Sequence, residues 1–157
     1  MTASKTFLMI LTLGIMSQAT QAKIIVVNPD DDLNAILNNT KGGDTVLVKP
    51  GTYKNLSLSN KKYSGKKPLV VRAYSSETVF VSGNTISNGS SLEINNCSYI
   101  VIEGLTFINA MWGIYVKSSA HIILRNNEIY NTGQEGSHIG RSSQYRRWIY
   151  LPLKSIS

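Results

Sequence analysis

SYIVIEGLTFINAMWGIYVKSS, residues 98–119, is followed directly by AHIILRNNEIYNTGQEGSHIGRSS, residues 120–143, and the second stretch can be laid over the first. Ile100 and Ile102 fall on Ile122 and Leu124, Phe107 on Ile129, Asn109 on Asn131, Gly113 on Gly136, Ile114 on Ser137 and Val116 on Ile139. Ser118 and Ser119 close the first copy as Ser142 and Ser143 close the second. A period of about 22 residues signals a stacked solenoid, because one unit cannot bury its apolar face alone and gains a core only against its neighbours. The unit here is built of short strands rather than helices.

Hairpins need tight reversals between adjacent strands, whereas these matching strands lie a full repeat apart and carry the same residue types. Stacking successive coils in register, about 4.8 Å apart, places Ile100 over Ile122, Ile102 over Leu124 and Phe107 over Ile129, so like packs on like. That arrangement is an all-β parallel β-helix of about five coils. Its corners agree with this reading. Gly104 aligns with Asn126, and Gly and Asn are the residues that best tolerate a left-handed backbone. Asn109 over Asn131 predicts a side-chain ladder along another corner. Two inward positions break the pattern, since Asn127 aligns with Leu105 and Ser137 with Ile114. A buried Asn or Ser without partners costs roughly 1–3 kcal/mol. Asn127 is expected to satisfy itself on corner backbone and Ser137 to weaken the packing.

Before the repeat the same punctuation holds. A strand at 24–27 is followed by Pro29 and three acids, Asp30 to Asp32, that open a short helix with Leu33, Ile36 and Leu37 on one face. Three acids could hold a metal, but capping and the helix dipole account for them more simply. The helix is expected to cap the solenoid. Strands follow at 45–48, 56–58, 69–74, 78–81 and 91–94, with KPGTY at 49–53 read as a turn.

The two ends stand apart from this pattern. Lys5, the apolar run 7–16 and the small residues Thr20 and Ala22 have the layout of a secretory signal peptide, and the run is too short for a usual spanning helix. Residues 1–22 are therefore expected to be a leader, 23–143 the β-helix domain and 144–157 a non-repeat basic tail, in a secreted or periplasmic protein with no membrane span after the leader is removed. In the tail, QYRRWIYLPLKSIS matches no coil; it is expected to be either a cap or sequence foreign to the fold, as a truncated or shifted reading frame would produce.

Cys97 is the single cysteine of the 157 residues, so no intramolecular disulfide can form, and its place before a strand predicts packing rather than nucleophilic chemistry. The formal charge of +7 suits nucleic acid, an anionic membrane or an acidic polysaccharide. Lys61, Lys62, Lys66 and Lys67 form one basic group, and Arg146, Arg147 and Lys154 another. Neither is a nucleic-acid motif with interleaved aromatics, and solvated surface is the first reading of both. Four Asn-Xaa-Ser/Thr matches, at Asn38, Asn55, Asn88 and Asn96, are what chance gives in turns so rich in Asn and Ser.

The segments DDLNAILNN, GGDTVLVKPGTY, SGKKPLVVRAY, VFVSGN and SLEINNCSYIVIEGLTFINA together resemble the right-handed parallel β-helix proteins of the pectate lyase type, which implies a right-handed solenoid. In these first coils the chain is most similar to polysaccharide lyases acting on alginate and chondroitin-type uronic acid polymers. The resemblance covers about 23–143. It implies β-elimination: a carboxylate is neutralised, often by calcium, while Lys, Arg, His or Tyr removes the adjacent proton, the groups lying on later coils of a longer helix. A base acting on a carbon acid needs positive charge in reach of the developing anion.

No outward cluster of Asp or Glu suited to calcium is legible here. The candidates for binding an acidic sugar are Tyr115 and His138, aligned on neighbouring coils of one sheet, with Lys117 and Arg141 close by. Ordinary solvent-facing side chains are the competing reading, and His121 has no evident partner. Two functions follow as expectations. One is the N-terminal part of a uronan lyase, inactive alone; the other is a noncatalytic β-helix that binds a glycan or a surface.

Overall fold

The computed structural model describes residues 21–134 and 136–139, and the backbone of 154–155. Most of the expected leader, Arg141 and nearly all of the basic tail lie outside these residues. The path begins with strand β1 (Ile24–Val27) and helix α1 (Leu33–Asn38). Three rounds of three strands follow. They are β2 (Thr45–Val48), β3 (Gly51–Lys54) and β4 (Leu56–Ser59); β5 (Leu69–Ala73), β6 (Val79–Ser82) and β7 (Ser90–Asn95); and β8 (Ser98–Glu103), β9 (Thr106–Ala110) and β10 (Trp112–Lys117). A fourth round comprises β11 (Ala120–Arg125), β12 (Glu128–Thr132) and β13 (Ser137–Ile139), and the two-residue β14 (Lys154–Ser155) pairs with β12.

Each strand pairs in parallel with its counterpart one coil away, which sorts the strands into three sheets. Sheet A has the order β1-β2-β5-β8-β11, sheet B β14-β12-β9-β6-β3 and sheet C β13-β10-β7-β4. The register is the one expected from the repeat: Ile100 faces Ile122, Ile102 faces Leu124, Phe107 faces Ile129 and Val116 faces Ile139. In sheet A the inward column Val46, Val71, Ile102, Leu124 is fully buried. Burial of each such side chain contributes roughly 1.5–3 kcal/mol.

The corners are left-handed where Gly and Asn recur. Gly104 has φ 71° and Asn126 above it φ 54°. Asn109 and Asn131 are also left-handed, at 57° and 53°, and the Asn131 amide donates to Oδ1 of Asn109. Asn109 in turn donates to Oγ of Ser82 at 3.1 Å, so the expected ladder runs through three coils. Asn127 is buried, as its alignment with Leu105 requires. Its Oδ1 accepts from the Leu105 N–H at 3.0 Å and its Nδ2 donates to the Ile102 carbonyl at 3.0 Å, which ties it to the coil below. Ser137 is half-buried, a gap in the Ile114 column.

One expectation is corrected. KPGTY is not a turn throughout: Pro50 makes the corner, and Gly51 already begins β3, whose Tyr53 points inward. The Tyr53 hydroxyl donates to the carbonyls of Lys49 and Val27, 3.0 and 3.2 Å away, and its burial pushes its pKa above 10.0, helped by Asp31 and Asp30.

Helix α1 buries Leu33 and Leu37, and Asp32 at its N-cap accepts from the Ala35 N–H at 3.0 Å. Sheet C ends at β4, whose edge groups would otherwise lack partners. Asn34 meets that edge as a strand would. Its Nδ2 donates to the Asn55 carbonyl at 2.8 Å and its Oδ1 accepts from the Ser57 N–H at 2.9 Å.

Candidate functional site

Strand β10 turns Ile114 and Val116 into the core and Tyr115 and Lys117 outward, the alternation that a half-exposed strand imposes. Because pairing is in register, the outward column on sheet C reads Ser57, Glu93, Tyr115, His138 from coil to coil. The Tyr115 and His138 rings lie 5.4 Å apart at an interplanar angle of 5°. Trp112, at the start of the same strand, sits 5.3 Å from Tyr115 and 5.9 Å from His138. Such ring contacts are worth about 0.5–1.5 kcal/mol beyond burial and fix the orientation of the cluster. Lys117 is exposed at the far end of the strand, opposite Asn95.

Three of the four residues singled out from the sequence, Tyr115, His138 and Lys117, thus share one outer face, and Arg141 lies outside the described residues. Trp112 and Glu93 were missed. Trp112 precedes Gly113 and Ile114, which are both buried, so simple alternation does not extend back to it. Glu93 becomes a neighbour of Tyr115 only through pairing with β7, a strand of an earlier coil that lies outside the recognised repeat. An aromatic cluster flanked by an ammonium and a carboxylate can pack on the C–H face of a sugar ring, attract an acidic substituent at Lys117 and repel one at Glu93.

The remaining chemistry-bearing residues have structural tasks. Asp31 accepts from the Asn28 N–H and Nδ2 at 2.7 and 3.0 Å, and these hydrogen bonds, the backbone one first, hold its carboxyl below 3.8. With Asp32 at the helix cap, two of the three acids are spent on local donors. Cys97 is buried, with Sγ 3.3 and 3.2 Å from the carbonyls of Leu58 and Asn95. His121, which lacked an evident partner in the sequence, stacks on Tyr99 with centroids 4.2 Å apart and planes 7° off parallel.

As for calcium, the ion takes six to eight oxygens. Among the described residues no group of three or more His, Cys, Asp or Glu gathers, and Glu93 stands alone on this face, so the described residues do not fit such a site.

Three parallel sheets wound by one chain, each coil stacked on the last, define a parallel β-helix. The family model described as "Right handed beta helix region" matches residues 22–147, and the chain belongs to that family. It is 32% identical to "Uncharacterized protein YwoF" of Bacillus subtilis (strain 168), over 62% of this chain and 24% of that protein. The crystal structure of alginate lyase from Paenibacillus sp. str. FPU-7 superposes with a TM-score of 0.67 and 27% identity, covering 74% of this chain and 39% of that one. The fold is thus a pectate-lyase-like β-helix related to polysaccharide lyases. The chain spans less than half the length of either relative.

Proposed function

We propose that this is an exported β-helix protein that binds an acidic, uronate-type polysaccharide on the outer face of sheet C. The observation that carries the reading is the near-parallel stack of Tyr115 on His138 with Trp112 against both, beside the exposed Lys117. The likeness to an alginate lyase supplies the substrate class. Helix α1 serves as the lid of the solenoid at the β4 edge, leaving the outer faces for ligand.

Elimination demands more than this face offers. As the proton beside the carboxylate leaves, two negative charges must be met at once. Lys117 supplies one cation, and Glu93, paired with Tyr115, opposes the approach of the anion. Binding without turnover is therefore the expected behaviour of the chain by itself, and participation in a lyase reaction is the second reading, favoured by the alginate lyase likeness alone.

The test is retention of the mature chain on immobilised alginate, pectate and chondroitin sulfate, beside an absorbance assay for unsaturated uronates with and without calcium. The expected result is retention that Trp112→Ala/Tyr115→Ala weakens, with flat absorbance. Undiminished retention of that variant would sink the sheet C site, and a rising absorbance would establish the lyase reading.

A further inference from the structure

We infer that a second anion-binding site, for a sugar chain carrying carboxylate or sulfate groups, lies at the corner between sheets C and A, where Lys41, Lys62 and Lys67 converge on one cleft. It is independent of the sheet C reading.

The cleft holds about 440 Å³ and is lined by Lys41, Gly42, Lys62, Tyr63, Ser64 and Lys67. Two separate segments build it: the turn after α1 supplies Lys41 and Gly42, and the connection from β4 to β5 supplies the other four. All three lysines are exposed. Among the described residues the one ion pair joins Arg125 to Glu103, so no carboxylate neutralises the three ammonium groups. Asp44, three residues along the chain from Lys41, is buried and turned to the main chain. Its Oδ1 accepts from the Lys23 N–H at 2.9 Å and its Oδ2 from the Lys41 N–H at 2.7 Å.

A loose lysine-rich loop would carry little information, because its charges could spread into solvent. This one is fixed. Ser98 donates its N–H to the Lys61 carbonyl at 2.8 Å, and Tyr63 donates to the Ser98 carbonyl at 3.1 Å, which adds the segment to the solenoid wall. The Tyr63 hydroxyl bonds Oγ1 of Thr40 at 2.9 Å, Gly43 donates to the Pro68 carbonyl at 3.1 Å, and Lys61 Nζ reaches the Asn38 carbonyl at 2.6 Å. Gly42 permits the closest approach: a Cβ there would stand 3.0 Å from the Lys67 carbonyl oxygen. Beyond the cleft Gly65 rests on the Tyr99 ring, itself stacked on His121.

The fold therefore holds three like charges together against their mutual repulsion, and a ligand with several oxyanions relieves it without reorganising the wall. A single small anion would meet the charges one at a time. A sugar chain with an anionic group on successive rings can meet them together.

The experiment titrates the chain by calorimetry with an oligogalacturonate, a sulfated oligosaccharide, a neutral oligosaccharide and inorganic sulfate, and repeats it with Lys41→Gln/Lys62→Gln/Lys67→Gln. One or both anionic oligomers are expected to bind, more weakly as salt rises, and the triple variant to lose about tenfold in affinity, the equivalent of three exposed ion pairs. The tighter oligomer identifies the anionic group. Trp112→Ala/Tyr115→Ala should leave this binding intact, so failure here and failure of the sheet C site are read separately. Unchanged affinity in the triple variant, or sulfate or the neutral sugar binding as tightly as both anionic oligomers, would overturn the inference. Because the substituted side chains are exposed, the thermal midpoint of the variant serves as the check that it remains folded.

Discussion

Cys97 sits where the solenoid wall turns from sheet C into sheet A, with its N–H donating to Oγ of Ser119 one coil on, at 2.9 Å. Burial pushes its thiol above 9.0, and the hydrogen bonds to backbone and the charges of Lys62 and Lys61, which act in the other direction, do not cancel it. The unfolded chain releases this proton at its ordinary pKa while the folded chain still holds it. Stability from this group is therefore complete below about pH 9 and falls as the pH rises through the folded value. Urea midpoints measured from neutral to alkaline pH should decline more steeply for the native chain than for Cys97→Ala, and equal slopes would refute the assignment. The packing role of Cys97 could be read from its position in the sequence. The stack of Tyr99 on His121 could also have been read, because the alignment that sets Ile100 over Ile122 sets these two rings in the same column. Both residues are left-handed, at φ 58° and 55°, an uncommon state for tyrosine that no sequence pattern announces.

At the level of strands and corners, the sequence was most legible where a repeat gave every residue a counterpart. Asn109 and Asn131 were paired on that basis, and the structure adds what each does: a left-handed backbone and a link in a hydrogen-bonded ladder. The two contributions can be separated. Asn131→Gly keeps the backbone and loses the ladder bond, whereas Asn131→Ala loses both. Alanine should cost about 1 kcal/mol more than glycine in chemical denaturation, the reverse of their order in an ordinary strand. An alanine variant as stable as the glycine one would show that the corner imposes no backbone demand. Legibility failed at β3, where Pro50 and Gly51 dominate the pattern. The corner is so tight that the strand begins on its last residue, and Tyr53 is the one buried side chain among its four residues, so no alternating apolar pattern marks it. Trp112 failed for a related reason, since Gly113 and Ile114 turn inward together.

For the molecule as a whole, the fold was legible because a solenoid repeats its core column by column, and Tyr115 and His138 were legible with it because both lie inside the repeat, while the rest of each site was not, because it is assembled across coils with no recognised counterpart. Lys41 meets Lys67, and Glu93 meets Tyr115, only after the chain has wound past itself. The same architecture sets how stability is distributed. Each coil packs on its neighbours alone, so a strand with two partners is held from both sides and a border strand from one. In sheet A, β5 and β8 are flanked on both sides, and Val71, Ile100 and Ile102 are fully buried. Among the described residues strand β1 has β2 as its one partner, and it leaves Ile24 73% exposed. In sheet C, β7 and β10 are internal, whereas among the described residues β13 borders the sheet, with Ser137 half-buried and Ile139 exposed. Native-state hydrogen exchange should therefore be slowest in β5, β7, β8 and β10, faster in β1, and fastest in β13, whose column is interrupted at Ser137. Replacing Ser137 with leucine tests the cause. If the missing apolar contact above Ile114 limits this coil, the variant should slow exchange in β13 and its partner β10 and leave β1 unchanged. Uniform protection throughout the wild-type chain would instead mean that the coils unfold as one cooperative unit and that the interrupted column has no local consequence.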